Sequence, residues 1–253
     1  MLSGCPADTH VHLHRGVDPA RCLDAAAGHM GAEGVLFVLE APGCTGVEAL
    51  PPRAGAWSIR PTAEAITRRA SRADGACLWL IGGRQVVARG GLEVLSLGAA
   101  AGEDGGPLEA TMAEIVAAGG LAVLPWGVGK WTGARGRAVA ALVEEGAPPP
   151  DTFLADSGVR PALLPRPALL RRAERHGWRV LAGTDPLPLP GEERKPGRFG
   201  IRLPHAPDPA RPFASVAAML RAQEGSPPTY GRLESLPRAL RQQVAMQLRK
   251  RRR

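Results

Sequence analysis

The feature that most restricts the fold is a recurring short apolar run that ends on a polar or turn-forming residue and leads into a helical segment. Residues 34–39 (GVLFVL) stop at Glu40, 76–81 (ACLWLI) at Gly82-Gly83, and 121–124 before Pro125-Trp126. Residues 152–155 stop at Asp156, and 178–181 lead to Gly183-Thr184-Asp185. Continuous apolar runs this short fit strands buried on both faces, as in a parallel sheet covered by helices. Helical patterning between them is expected over 19–30, 62–71, 107–118, 134–145 and 167–176, then over 209–224 and 236–249. Asp18-Pro19 starts the first of these with a capping side chain and a proline at the first helical position. Two β-like pieces, 85–88 and 92–97, flank a turn at Gly90-Gly91. Residues 41–60 and 186–207 are rich in Gly or Pro and predict irregular loops. The alternation of strand and helix gives an α/β fold whose sheet is parallel, closed or open.

In such folds ligands gather at the C-terminal ends of the strands. Ahead of the first apolar run stands Asp8-Thr9-His10-Val11-His12-Leu13-His14, which holds three of the six histidines. On a strand His10, His12 and His14 share one face and Val11 and Leu13 the other. Imidazole is the commonest side-chain metal ligand, so this end of the sheet predicts a metal centre. Glu40, Gln85, Trp126, Asp156 and Asp185 also fall at or just past strand ends and are expected to converge on it.

Composition narrows the partners. The formal charge is +8, but only residues 130, 195 and 250 are lysine, and part of the charge sits in Arg249-Lys250-Arg251-Arg252-Arg253. That tail leaves nucleic acid or anionic lipid open, but a frayed, solvated helix end is the favoured reading and nucleic acid is not expected. The four cysteines show no paired spacing, so neither a zinc knuckle nor a disulfide frame is expected. No apolar stretch precedes Asp8 and none is long enough for a bilayer, so a cytoplasmic protein with no membrane span is expected.

The residues resemble the PHP superfamily of polymerase and histidinol phosphatase domains. Its opening Asp-x-His-x-His matches Asp8, His10 and His12. Its third strand and hairpin are similar to Gly83-Arg84-Gln85-Val86 with residues 92–97, its Ala-Gly-Gly strand to 118–126, and its closing Gly-Ser-Asp to Gly183-Thr184-Asp185. The resemblance implies a distorted (β/α)7-type barrel over residues 1–207, with C-terminal helices and the basic tail over 208–253. It also implies a divalent metal (Zn, Mn or Fe, one or two ions) on His10, His12 and Asp185, with Glu40 as a substitute ligand. The family's bridging Glu is Gln85 here, and its next His is Trp126, so a full trinuclear site is not expected. The amidohydrolase superfamily also opens on His-x-His, but its further strand-end histidines are missing.

The expected function is a metal-dependent hydrolase acting on a phosphoester or other anionic small molecule. Asp185, Lys130 and Arg84 would serve the reaction, and Gln85, Trp126, Asp156, Arg160 and Arg198 would contact substrate. The alternative is a catalytically inactive PHP-like domain that binds a ligand or a protein partner.

Overall fold

The computed structural model describes residues 4–251. In chain order the strands are β1 (Cys5–Val11), β2 (Glu33–Glu40), β3 (Arg53–Ala54), β4 (Trp57–Pro61), β5 (Thr67–Ser71) and β6 (Cys77–Ala88). They continue with β7 (Leu92–Leu97), β8 (Leu121–Pro125), β9 (Thr152–Ser157), β10 (Val180–Gly183), β11 (Phe199–Leu203) and β12 (Thr229–Gly231). The helices are α1 (Pro19–Met30), α2 (Leu108–Ala117), α3 (Gly133–Glu144), α4 (Ala168–Arg175), α5 (Pro212–Arg221) and α6 (Leu236–Arg251).

One sheet runs in the order β10-β9-β8-β7-β6-β2-β1-β11-β12. Strands β1, β2, β6, β8, β9 and β10 point the same way, and β7 is antiparallel to both its neighbours. The sheet curls until the two ends of this run nearly meet. The first half of β1 pairs with β11, while its second half reaches β10: Thr9 Oγ1 donates to the Ala182 carbonyl at 2.9 Å and Asp185 N to the His10 carbonyl at 2.8 Å. The result is a nearly closed barrel.

Strand alternation sorts the apolar residues into layers. Val35, Phe37, Leu39, Leu95, Leu97, Val123 and Phe153 fill the interior. Leu36 and Val38 point outward onto Leu23 and Ala26 of α1, and Ala122, Leu124 and Leu154 onto α2, α3 and α4. Each large apolar side chain buried this way contributes roughly 1.5–3 kcal/mol. Helix α5 closes the barrel floor with Val216, Ala217, Met219 and Leu220. Its first turn is held by Glu64, which accepts from the backbone N–H of Phe213 and Ala214 at 2.6 and 3.0 Å.

Three stretches differ from the sequence reading. Residues 62–71 contain no helix; 67–71 form β5, which pairs with β4 and with the first half of β6. Strand β5 lies between these two partners with Thr67 and Ala70 buried, and the Arg69 guanidinium lies over the Trp79 ring. Gly82-Gly83 does not break the strand, because β6 runs through it for 12 residues. A Cβ on Gly83 would stand 2.2 Å from the Ser96 carbonyl oxygen, so glycine is there for close approach of backbones. Finally, residues 199–203 inside the proline-rich stretch form β11 on β1. Among the described residues no helix is long and apolar enough to cross a membrane.

Candidate metal centre

The histidines face the barrel mouth because β1 carries a bulge. Against β2, Asp8 pairs with Leu36 but Val11 with Val38, three steps on one strand for two on the other. Below this irregularity Cys5 and Ala7 face the interior; above it Val11 and Leu13 pack outward against α1. The parity change turns His10 and His12 inward. Bulges re-aim side chains in this way beside functional sites.

Asp8 does not join the cluster. Its buried carboxylate accepts from Thr184 N (2.9 Å), Thr184 Oγ1 (2.6 Å), Gly197 N (2.9 Å) and His10 N (3.2 Å). It pins β1 to the segments that follow β10 and precede β11. Burial pushes its carboxyl up to about 7 against these donors.

Beside it, His10, His12 and Asp185 are all buried and bring one ligand atom each to within 4.8 Å of one another. The two Nε2 atoms are 3.0 Å apart, and Asp185 Oδ1 lies 3.4 Å from His10 Nε2 and 3.9 Å from His12 Nε2. Gln85 Oε1 approaches His12 Nε2 at 3.1 Å. His12 Nδ1 faces the Leu39 carbonyl at 3.3 Å, which places its proton there and leaves the Nε2 lone pair directed into the cluster. Lone pairs outnumber protons at this point, and a cation satisfies them together. The donor set fits one divalent ion held by two imidazoles and a carboxylate, with the Gln85 amide oxygen alongside.

The electrostatics agree with that fit. Burial drives the His10 imidazole down to about 3, offset in part by Asp185, and lowers His12 likewise, so both rings are neutral and able to ligate. For Asp185 burial acts upward, yet His10, Lys130 and His12 outweigh it and hold the carboxyl well below the usual range. Asp185 also has a φ of 49°, in the left-handed region that few non-glycine residues adopt. Its backbone N–H, bonded to the His10 carbonyl, fixes it in that conformation.

Lys130 reaches the site from the loop after β8. Its Nζ is 3.2 Å from Asp185 Oδ2 and 2.6 Å from Glu93 Oε2. Burial opposes its charge, but the two carboxylates keep the ammonium's affinity for its proton above normal. His14 sits at the rim between the Pro186 carbonyl at 2.8 Å and Cys44 Sγ at 3.3 Å. Around these groups opens a cavity of about 590 Å³, also lined by Arg135, Val159, Gln243, Met246 and Gln247. The last three come from α6, which lies across the mouth.

Other expected site residues are elsewhere. Glu40 is exposed, one step out of phase with inward-facing Leu39, and is not in the cluster. Arg84 is likewise one step from Gln85; its guanidinium lies 3.9 Å from Asp104 and does not line the mouth. Trp126 packs with Trp131 against the outer layer formed with α2, α3 and α4. Asp156, Arg160 and Arg198 line a separate cavity of about 860 Å³. There Arg160 and Asp156 form a buried two-pronged pair at 2.7 and 3.0 Å, and Arg198 turns to the Leu233 carbonyl and Glu234. That cavity is larger, but these charged groups pair within the protein, and among the described residues no metal-ligand set converges in it. Glu93, Arg135 and the α6 residues were missed as site residues. A carboxylate at the start of β7 is one signal that could have found Glu93, whereas nothing local marks α6.

The comparisons with known proteins are sparse. No family model matches the chain, and no curated protein matches it. Among solved structures it is similar to PsfC from Pseudomonas syringae PB-5123, with a TM-score of 0.60 and 17% identity over 97% of this chain and 98% of that one. At that identity the likeness is one of fold alone, an α/β chain with a nearly closed, barrel-like sheet.

Proposed function

We propose that the protein is a divalent-metal-dependent hydrolase of an anionic small molecule, with a phosphoester the first class to test, and a divergent PHP-like (β/α)7 barrel. The observation that carries the reading is the convergence of His10, His12 and Asp185 at the C-terminal ends of β1 and β10. The chemistry that a divalent ion (Zn, Mn or Fe) supplies in such a ligand set is Lewis-acid polarisation and the acidification of water. The chain's own groups have distinct tasks. The Leu39 carbonyl orients His12, and Asp185, held ionised, acts as a ligand rather than a proton acceptor. Arg135, half-buried at the mouth, offers its guanidinium to an anionic group. A cavity of about 590 Å³ suits a small molecule.

The test joins metal analysis to a substrate screen. Purified protein is expected to carry or take up an ion, and the double variant His10→Ala/His12→Ala to lose it. Phosphoesters screened with added Mn, Zn or Fe should then be turned over by the wild type only. Full metal occupancy with no turnover would favour the second reading, a catalytically inactive PHP-like module that binds a ligand or partner. Gln85, Trp126 turned outward and α6 lying over the mouth all motivate that reading.

A further inference from the structure

The Asp185 carboxylate has two oxygens and two employments. Oδ1 faces the Nε2 atoms of His10 and His12, whereas Oδ2 faces away from them, toward Lys130 Nζ at 3.2 Å and Ser157 Oγ at 3.4 Å. A carboxylate used in this way bridges two positively charged positions. The far side of the second position is closed by Glu93, whose Oε2 is buried and directed at that position. The Lys130 ammonium stands 2.6 Å from that oxygen. Sheet register explains the placement: Gln85 pairs with Leu95 and Val87 with Glu93, so Glu93 shares the face of interior Leu95 and sits at its open end.

We infer that Asp185 and Glu93 form a second cation position beside the His10-His12 position, and that the chain fills it with the ammonium of Lys130. The centre is thus built for one metal ion, with a fixed internal charge where a two-ion site would place the second. Paired-ion hydrolytic centres hold their ions about 3.5–4 Å apart across bridging groups, the span one carboxylate covers. A compact ammonium can stand in for an ion's charge, but it cannot release its place to a substrate or exchange with solvent. Gln85 fits the same scheme. A neutral amide at the first position avoids a negative charge that one ion and one ammonium would not need.

This inference rests on the metal-centre reading, and metal stoichiometry separates the two. Chelator-treated protein is titrated with Mn(II) or Zn(II) and counted by calorimetry and elemental analysis. Wild type is expected to bind one equivalent and Lys130→Ala two. The triple change Lys130→Ala/Glu93→Gln/Asp185→Asn should bind none tightly. In Lys130→Ala loaded with Mn(II), electron paramagnetic resonance should show an exchange-coupled pair, which a stray surface ion would not give. Lys130→Met, closer in volume, repeats the measurement should the alanine variant fail to fold. Two ions in the wild type, or one in each folded Lys130 variant, would overturn the inference while leaving the metal centre standing. A wild type that binds none would overturn both.

Discussion

At the residue scale, the site is governed by burial acting on His10 and His12. A neutral imidazole whose folded pKa lies near 3, against an ordinary 6.5, contributes stability that is present above about 6.5 and is lost as pH falls toward 3. The His10 ring contributes a slope of up to about 1.4 kcal/mol per pH unit across that window, and His12, lowered by the same burial, acts in the same direction. Denaturant midpoints of chelator-treated wild type should therefore drop steeply between about pH 6.5 and 4.5, and His10→Gln should flatten the profile. An unchanged slope would mean that these rings are solvated in the folded protein. A second prediction concerns Asp8. Thr184→Val removes the shortest of its four donors, at 2.6 Å, and leaves a buried carboxylate short of a partner. The expected cost is about 1–3 kcal/mol, read as a lowered thermal midpoint.

At the element scale, close approach of backbones decides what can be changed. Gly183 ends β10 against β1, and a Cβ there would stand 2.4 Å from His10 N and 2.6 Å from His10 Cβ. Gly183→Ala should push β1 away, move His10 and weaken metal binding about 10–100-fold while leaving the circular dichroism spectrum near that of wild type. Equilibrium dialysis against Zn(II) checks it. The short apolar strands and the helices closed by glycine were legible in the sequence: β2, β8, β9, α2, α3 and α4 lie within a few residues of where the pattern puts them. Strand β5 was not, because Ile66 with arginines at 68, 69 and 72 mimics a helical face when only a local window is read. Strand β11 was hidden by the prolines around it; its partner on β1 lies far away in the sequence, Cys5 opposite Leu203. The site divides in the same manner. His10, His12 and Asp185 were legible because strand-end position fixes them. Arg84 and Glu40 were misplaced by one residue of strand phase, a single step that sends a side chain to the other face. Glu93 owes its role to a register that no local pattern encodes.

At the scale of the whole molecule, the C-terminal part belongs to the barrel's own packing. α5 fills the floor, and α6 lies over the mouth. α6 is tied to the loop after β10 by Gln242, which donates to Glu192 at 2.7 Å, and by Arg249, which donates to the Pro188 carbonyl at 2.8 Å. Buried Lys195 adds ion pairs at 2.9 Å to Glu192 and 2.6 Å to Glu234. Truncation after Ser235 should take Gln243, Met246 and Gln247 off the cavity. A chelator should then strip a bound ion faster than from the full chain. Equal rates would show that α6 does not limit access.

The carboxylate of Asp8 has a further consequence, in the order of folding. It joins a residue near the start of the chain to Thr184 and Gly197. Its neighbours His10 and His12 find Asp185 only after nearly two hundred residues have been made and placed. Contacts so distant in sequence pay their loop-closure entropy before they return any stabilisation, which makes them slow. The ligand set is thus assembled at the seam where the two ends of the barrel come together. Uptake of an ion by this ligand set during refolding should coincide with the slowest phase, and would then be the molecule's own report that the barrel has shut.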